Sequence, residues 1–327
     1  MTTVLVTGGA GYIGSHATLA LRDAGHAPVV LDNLSTGFAD AVPEGVSLER
    51  GEIGHKDFVI GVIKRHGVGA VMHFAGSIIV PESVADPTKY YRNNTANSLS
   101  LIEACVEVGV GPFVFSSTAA VYGAPEHAPV AEADPTAPIS PYGASKLMTE
   151  RMLFDTARAH PSFRPVALRY FNVAGADPVG RAGQRTRNAT HLVQLAVETA
   201  LGRQPVLEVF GEDYPTRDGT CERDYIHVTD LAQAHVAALD YLEAGGAPQA
   251  MNCGYGRGMT VKEVIACLER VIGRPVDKRA TVRRAGDPAI LVSDPAKLKR
   301  LLNWRPEHDS IEEILQTALD WQRHLNG

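Results

Sequence analysis

The chain has 327 residues, of which 45% are hydrophobic and 21% charged, and its formal net charge is −6. These values are typical of a globular protein of about two domains. The negative net charge and the lack of a long run of basic residues argue against a nucleic-acid-binding surface. No run approaches the ~20 apolar residues that a membrane-spanning helix needs.

The cysteines are far apart and show neither CxxC nor zinc-type spacing. We expect them to be reduced and mostly buried, and we predict no metal site. A strand predicted within a few residues of Met1 leaves no room for a signal peptide, so the cytoplasm is the expected compartment. The four cysteines are Cys105, Cys221, Cys253 and Cys267.

Short apolar runs alternate with longer amphipathic stretches in the first half of the chain. This alternation predicts βαβ units and a parallel sheet covered by helices on both faces. The predicted strands are Val4–Val6, Pro28–Leu31, Val46–Glu49, Ala70–Phe74, Phe113–Phe115 and Val166–Leu168. The predicted helices are Tyr12–Ala24, Lys56–His66, Tyr90–Val108 and Tyr142–His160.

The alternation ends after Phe171, where residues 172–188 are rich in Gly, Arg and Pro and predict a long loop. We place a domain boundary at residues 176 and 177, with a smaller α/β domain over 177–327. Segments around 224–256 are compatible with a return to the first domain. Later helices are predicted near Ala189–Leu201, Thr229–Leu242, Val261–Val271 and Ser310–Leu325.

Glycines with the spacing G-x-x-G-x-x-G lie between the first predicted strand and the first predicted helix. Unpaired amides and a partial positive charge at a helix N-terminus bind a pyrophosphate, which glycines allow to approach closely. This strand-to-helix context predicts a Rossmann-type doubly wound domain over residues 1–176. The residues assigned to the dinucleotide are Gly8, Gly11, Tyr12, Ile13 and Gly14.

Asp32 ends the second predicted strand, 18 residues beyond Gly14. A carboxylate there can accept hydrogen bonds from the adenine ribose and repels a 2′-phosphate, so NAD is favoured over NADP. The alternative is an aspartate that only caps the next turn. The residues that follow it into the same predicted site are Asn33, Ser35, Thr36 and Gly37.

Tyr142 and Lys146 lie four residues apart in "SPYGASK", on one face of a predicted helix. The ordinary explanation is a surface Tyr–Lys pair, and the other is a tyrosine that its neighbour makes acidic enough to act as a base. The end of a predicted strand, Ser116 to Thr118, comes 24 residues earlier. Ligands bind at such carboxyl ends in open α/β sheets.

With the glycine loop and Asp32, these residues resemble the extended short-chain dehydrogenase/reductase family, and within it the nucleotide-sugar 4-epimerases. Matching segments occur in order over nearly the whole chain: "TGGAGYIGSH", "DNLSTG", "FAG", "ESV", "YYRNN", "SPYGASKL", "RYFNVAGA", "FGEDYPTRDGTCERDYIHV" and "AGDP". The resemblance implies UDP-glucose/UDP-galactose interconversion by reversible hydride transfer at sugar carbon four to tightly bound NAD, through a 4-keto sugar. It also implies a homodimer paired through the helices Tyr90–Val108 and Tyr142–His160.

The resemblance implies roles for further residues. Tyr142 would be the base, Thr118 would hydrogen-bond the sugar oxygen, and Lys146 would assist both the base and the nicotinamide ribose. The implied cofactor contacts also include Glu52, Ile53, Phe74, Ala75, Gly76, Asn93, Ser116, Ser117 and Tyr170. The implied UDP-sugar contacts also include Asn172, Asn188, Arg223, Arg284, Asp287 and Leu291. The nearby arginines Arg181, Arg185 and Arg187 are expected to be solvated.

A free phenol has a pKa of about 10, so a base near neutral pH needs a drop of roughly three units, or ~4 kcal/mol. One cation at 4 Å supplies only ~1 kcal/mol in water, but ~4 kcal/mol at an effective dielectric constant near 20. We therefore expect Tyr142 to become acidic only when the positively charged nicotinamide is also present.

Three alternatives remain beside this function. The same mechanism could serve a pentose pair, UDP-xylose and UDP-arabinose, or an N-acetylhexosamine, which Leu291 neither admits nor excludes. Ala119 and Ala120 stand where the related 4,6-dehydratases carry an Asp-Glu pair, which argues against a dehydratase. A non-catalytic NAD-binding regulator would be expected to lack Tyr142 and Lys146.

Overall fold

A computed structural model describes residues 1–185, 189–284 and 286–325. The strands are β1 Thr3–Thr7, β2 Ala27–Asp32, β3 Ser47–Arg50, β4 Ala70–His73, β5 Pro112–Ser116, β6 Arg164–Tyr170, β7 Asn172–Ala174, β8 Leu207–Phe210, β9 Glu222–His227, β10 Gln249–Cys253, β11 Gly258–Thr260, β12 Lys278–Thr281 and β13 Ile290–Leu291. The helices are α1 Tyr12–Asp23, α2 Lys56–His66, α3 Val80–Ala85, α4 Pro87–Tyr90, α5 Asn97–Val108, α6 Pro141–Ala159, α7 Leu192–Ala200, α8 Val228–Glu243, α9 Val261–Ile272, α10 Ala296–Leu302 and α11 Ile311–His324.

The main sheet of the described residues has seven strands in the order β10-β6-β5-β4-β1-β2-β3. All its strand pairs are parallel. The buried apolar side chains form one cluster that includes Leu21 and Leu239 of α1 and α8, and a second that includes Val59 and Leu101 of α2 and α5. The predicted doubly wound fold is confirmed. The direction of chain progression reverses between β1 and β4, and such a switch point is where ligands bind.

The predicted strands of the first half correspond to β1 to β6. The predicted helix Tyr90–Val108 is interrupted by a π-helical turn, Tyr91–Ala96, between α4 and α5. A regular apolar period does not reveal such a wide turn, which often occurs at functional sites. The helix α3 was not predicted, and the strand β7 corrects the start of the predicted loop over residues 172–188. A six-residue helix and a three-residue strand are too short to show a period.

The strands after β6 belong to three sheets. The strand β10 pairs with β6 in the main sheet, whereas β9 carries β7, β11 and β13, and β8 pairs with β12. The register of β13 on β9 sets Leu291 opposite Arg223. This pairing brings distant parts of the second half to one wall of the site. The domain boundary at residues 176 and 177 stays a prediction.

The four cysteines are free and buried, as predicted. Within the described ranges, no helix is both long and apolar enough to cross a membrane.

Two helical glycines test how tightly the first βα turn is packed. A Cβ on Gly14 of α1 would lie 2.2 Å from the carbonyl oxygen of Gly8, whereas a Cβ on Gly61 of α2 would meet nothing within 4 Å. We expect Gly14→Ala to lower the free energy of unfolding by more than ~2 kcal/mol. The matched control Gly61→Ala should raise it by up to ~1 kcal/mol, because alanine restricts the unfolded chain. Urea unfolding measures both, and a Gly14→Ala protein as stable as its parent would contradict the close packing.

Candidate active site

A cavity of about 1470 Å³ lies at the carboxyl ends of the main-sheet strands. Typical pockets for one small ligand measure roughly 300–1,000 Å³, so this cavity has room for a cofactor and a substrate together. Of the predicted site residues within the described ranges, all except Ser117 line this cavity. Asn188 lies outside the described residues.

The glycine turn between β1 and α1 needs its glycines. Gly8 has φ of +72°, and a Cβ on it would lie 2.6 Å from the backbone nitrogen of Ala75 at the end of β4. Gly11 is the N-cap of α1, which has neither a capping side chain nor an acidic residue in its first turn. The positive end of the helix therefore faces a space that an anion can enter, which fits a dinucleotide pyrophosphate.

Asp32 both caps a turn and lines the cavity. Its carboxylate oxygens accept hydrogen bonds from the backbone nitrogens of Ala10 at 3.0 Å and Leu34 at 2.8 Å. Burial raises the pKa of Asp32, and these two hydrogen bonds oppose the rise. Nearby, the side chain of Glu52 accepts a hydrogen bond from Asn33 at 2.9 Å. A second acid beside Asp32 makes this end of the cavity unfavourable for a 2′-phosphate.

The π-helical turn fixes the loop that follows β4. Asn93 donates to the hydroxyl of Ser77 at 2.9 Å, and the side-chain oxygen of Asn94 accepts from the Ser77 backbone nitrogen at 2.7 Å. Asn94 also donates to Ser145 of α6 at 3.1 Å. Sequence reasoning named Asn93 and missed Asn94, although both belong to the "YYRNN" segment. Asn94 joins the post-β4 loop to the helix that carries Tyr142 and Lys146.

The start of α6 sets the position of the Tyr–Lys pair. The hydroxyl of Ser140 accepts a hydrogen bond from the Gly143 nitrogen at 3.2 Å, and Pro141 occupies the first turn. Tyr142 is therefore in the first turn of α6 and Lys146 is one turn later. The side chains are 9% and 3% exposed, so they do not form the ordinary solvated surface pair.

Lys146 is buried, and within the described part of the chain it forms no ion pair with an acidic side chain. Its Nζ donates to the carbonyl oxygen of Ser116 at 2.9 Å and lies 4.9 Å from the ring centre of Phe115. Burial lowers the pKa of Lys146 to about 8. Burial also raises the pKa of Tyr142, and the neighbouring Thr118 side chain opposes this by hydrogen bonding. The protein side chains alone therefore do not turn Tyr142 into a base.

The position of Ser117 does not support its predicted cofactor contact. Its hydroxyl donates to the carboxylate of Glu150 at 2.5 Å, away from the cavity wall. Glu150 is one helical turn after Lys146 and forms a buried ion pair with Arg169 at 2.6 Å. Arg169 also donates to the hydroxyl of Tyr122 at 3.0 Å. The side chain of Ser117 thus connects the strand end to α6 in the protein interior.

The opposite end of the cavity carries the predicted UDP-sugar residues. Arg223 lies 3.7 Å from the carboxylate of Asp287 and donates to the Glu222 carbonyl at 2.9 Å. The Arg284 guanidinium is 4.3 Å from the ring centre of Phe210. Two arginines suit a diphosphate, because each guanidinium group can donate two parallel hydrogen bonds to phosphate oxygens.

Several cavity residues were not predicted from the sequence. Some come from segments that no motif marked, such as the start of α3, and others lie inside the quoted segment that spans residues 210–228 but were not singled out there. They include Ile78, Val80, Ile139, His191, Phe210, Cys221 and Tyr225. Across the described residues, no group of three His, Cys, Asp or Glu side chains could hold a metal ion.

The two described arginines expected to be solvated also form ion pairs: the Arg181 side chain is 41% exposed, as expected, and that of Arg185 is 27% exposed. Arg181 lies 2.7 Å from Asp177 and 3.0 Å from Asp23. Arg185 lies 2.9 Å from Asp40 and lines the cavity. Asp23 and Asp40 are 158 and 145 residues from their arginines, so the sequence did not reveal these two pairs, whereas Asp177 is only four residues from Arg181. Arg187 lies outside the described residues.

The sheet, the glycine turn and the buried Tyr–Lys pair define a dinucleotide-binding protein of the short-chain dehydrogenase/reductase type. Residues 4–254 match the model of the NAD dependent epimerase/dehydratase family. The chain belongs to this family.

Known proteins are similar to this chain over nearly its full length. The chain is 57% identical over 322 residues to a UDP-glucose 4-epimerase of Azospirillum brasilense, covering 98% of this chain and 92% of that protein. It is 45% identical to the Brucella ovis UDP-glucose 4-epimerase solved in complex with NAD, with a TM-score of 0.95 and 98% of each chain covered. The Stenotrophomonas maltophila UDP-glucose-4-epimerase, solved with NAD and formylated UDP-arabinopyranose, is 37% identical, with a TM-score of 0.96 and 99% of each chain covered.

The buried ammonium of Lys146 gives a pH-dependent stability prediction. Its pKa is about 8 in the folded chain and about 10.4 in the unfolded chain, so below pH 8 the buried charge lowers the free energy of unfolding by its full amount. This destabilisation decreases as the pH rises from 8 to 10.4, because Lys146 of the folded chain is then neutral while that of the unfolded chain is still protonated. In nucleotide-stripped protein, Lys146→Met should raise the free energy of unfolding at pH 7 and raise it less at pH 9.5. Urea unfolding at both pH values checks this, and a gain that is equal or larger at pH 9.5 would contradict it.

Proposed function

We propose that the chain interconverts UDP-glucose and UDP-galactose by inverting sugar carbon four while it keeps its NAD. The observation that carries this proposal is the buried Tyr142–Lys146 pair, on the wall of a cavity that also holds the glycine turn and two arginines. The names of the full-length relatives support the same activity.

The cofactor half of the cavity fits NAD. The α1 N-terminus suits the pyrophosphate, Asp32 suits the adenine ribose, and Lys146 and Tyr170 lie at the end assigned to the nicotinamide. NAD bound there would take up a hydride from sugar carbon four and give it back on the other face. The remaining predicted contacts, from Asn33 to Ser116, line the cavity between these ends.

Tyr142 would accept the proton of the sugar 4-hydroxyl and return it after inversion. Thr118 is beside the phenol, and its hydroxyl can both donate and accept a hydrogen bond with the sugar oxygen. Lys146 stabilises a phenolate one turn away. A positive charge 4 Å from a phenolate is worth ~4 kcal/mol at an effective dielectric constant near 20, rather than ~1 kcal/mol in water, so the burial of Lys146 strengthens its effect.

The substrate half fits a UDP-sugar. Arg223 and Arg284 would bind the diphosphate oxygens, and Asp287, held near Arg223, would accept hydrogen bonds from the uridine ribose. Asn172 at the start of β7 lies on the same cavity and can contact the diphosphate or the sugar.

The choice of sugar is the finest part of the proposal. The S. maltophila neighbour was solved with a formylated UDP-arabinopyranose, so a pentose substrate is the competing candidate. Ala119 and Ala120 also line the cavity beside Thr118, and alanine side chains cannot perform the acid–base steps of a dehydratase. Leu291, opposite Arg223, is the residue to vary if N-acetylated sugars are tested.

We further propose a cytoplasmic homodimer. The side chains of Tyr91, Leu99 and Met148 are 37%, 41% and 46% exposed on the π turn, α5 and α6, which are the segments predicted to pair. Exposed apolar side chains on adjacent helices favour association. The cytoplasm is a compartment in which the free cysteines stay reduced.

Tyr142→Phe tests the proposed chemistry. Incubated with UDP-galactose and no added cofactor, the parent should form UDP-glucose without accumulating NADH. The variant should lose roughly 10²–10⁴-fold in turnover, the usual contribution of a general base, and keep its NAD. The control Tyr241→Phe removes a remote hydroxyl, which donates to the Ala247 carbonyl at 3.1 Å, and should remain active.

A panel of UDP-sugars completes this test. Preference for UDP-xylose over UDP-galactose would overturn the hexose assignment. A 4-keto-6-deoxy product would indicate a dehydratase. Parent-level activity in Tyr142→Phe would show that the base has been misassigned.

Met148→Glu tests the dimer. Sedimentation of the parent should give twice the 35.0 kDa chain mass, and a charge at this exposed apolar position should shift the equilibrium toward the monomer. A monomeric parent would contradict the proposed assembly.

A further inference from the structure

Residues 175–185, here called the strap, follow β7, and the last three of them, Gly183 to Arg185, line the cavity. The carbonyl of Gly175 accepts a hydrogen bond from the hydroxyl of Tyr12 at 2.6 Å. The carbonyl of Gln184 accepts two, from the indole of Trp321 at 3.1 Å and from the amide of Gln322 at 2.7 Å. The strap is therefore fixed to α1 at its start and to α11 near its end.

The side chain of Arg185 extends from the fixed end of the strap to the loop after β2. Its guanidinium lies 2.9 Å from the carboxylate of Asp40 and 4.2 Å from the ring centre of Phe38. Arg185, Phe38 and Asp32 all line the cavity, and Phe38 follows Asp32 in the loop after β2. The contact thus joins two walls of the cavity at the end assigned to the adenine ribose.

The loop that Arg185 reaches is itself held to the glycine turn. The backbone nitrogen of Phe38 donates to the Ala10 carbonyl at 3.0 Å. A Cβ on Gly37 would lie 2.9 Å from the Ala10 backbone. The strap, the post-β2 loop and the pyrophosphate turn are therefore connected around one end of the cavity.

We propose that Arg185 is a cofactor-retaining residue, which slows the release of NAD by holding the strap to Phe38 and Asp40. This inference rests on the proposed function, in which the cavity keeps its NAD through each cycle. In this proposal a dinucleotide leaving at the Asp32 end passes between the strap and the post-β2 loop, which requires the Arg185 contacts to break.

The contacts are of moderate strength, which sets the expected size of the effect. Asp40 is 70% exposed, so its ion pair with Arg185 is partly screened by water and salt. The stacked guanidinium adds a cation–π contribution. Arg181 holds the middle of the strap separately, through Asp177 and Asp23, so the strap should stay in place without Arg185.

The experiment follows the release of NAD from the loaded protein. The purified protein, carrying labelled NAD, is mixed with excess unlabelled NAD, and the retained label is measured over time after rapid gel filtration. We expect Arg185→Ala to release NAD about fivefold faster, from the loss of one exposed ion pair and one cation–π contact. Asp40→Asn should release it faster by a smaller factor, and the double variant no faster than Arg185→Ala.

Two controls separate retention from general effects. Arg257 is also paired with an aspartate, Asp309, and lies over the ring of Tyr255, but Arg257 and Asp309 do not line the cavity. Arg257→Ala should release NAD at the parent rate. Release from the parent should also speed up with added salt, whereas release from Arg185→Ala should respond less. Thermal unfolding of each variant confirms that it is folded.

The outcomes distinguish two failures. A parent that carries NAD and whose release rate is unchanged in Arg185→Ala would overturn the retention proposal alone. A parent that neither carries nor binds NAD would overturn the proposed function, and the retention proposal with it.

Discussion

The site depends on a positive charge that the protein buries beside a phenol. Lys146 is 3% exposed, and its ammonium donates to the carbonyl oxygen of Ser116. No carboxylate of the described residues forms an ion pair with it, and burial lowers its pKa to about 8. The same lack of a counter-ion leaves its field available to an anion that appears during the reaction. Burial raises the pKa of Tyr142 as well, which is why we propose that the pair acts only when a further positive charge enters the cavity.

The parallel sheet and its caps position this pair. The carboxyl ends of β1, β4, β5 and β6 meet at one edge, and they bring the glycine turn, Gly76, Thr118 and Tyr170 to the same cavity. Behind it, the buried Glu150–Arg169 pair joins α6 to β6 and, through Ser117, to the end of β5. Breaking such a buried pair typically costs about 3–5 kcal/mol, so the relative placement of Thr118 and Tyr142 is firmly maintained.

The sequence predicted those parts of the fold and site that depend on local pattern. The first six strands, the glycine turn and the Tyr–Lys face of α6 all follow from short spacings. The parts that the sequence did not reveal depend on contacts between distant residues. Ser117 stands at a strand end where cavity residues are expected, but in the fold its hydroxyl donates a hydrogen bond to Glu150. Likewise, Arg185 resembles a solvated charge until the fold brings Asp40 to it. The π turn around Asn93 and Asn94 was hidden because one wide turn does not disturb the apolar pattern.

The most direct test of the account is an ultraviolet titration of tyrosine ionisation, with and without bound NAD, in the parent and in Tyr142→Phe. The account predicts that the NAD-bound parent ionises one tyrosine near neutral pH and that this step is absent from Tyr142→Phe and from nucleotide-stripped parent. Identical titration curves for the NAD-bound and stripped parent would contradict it.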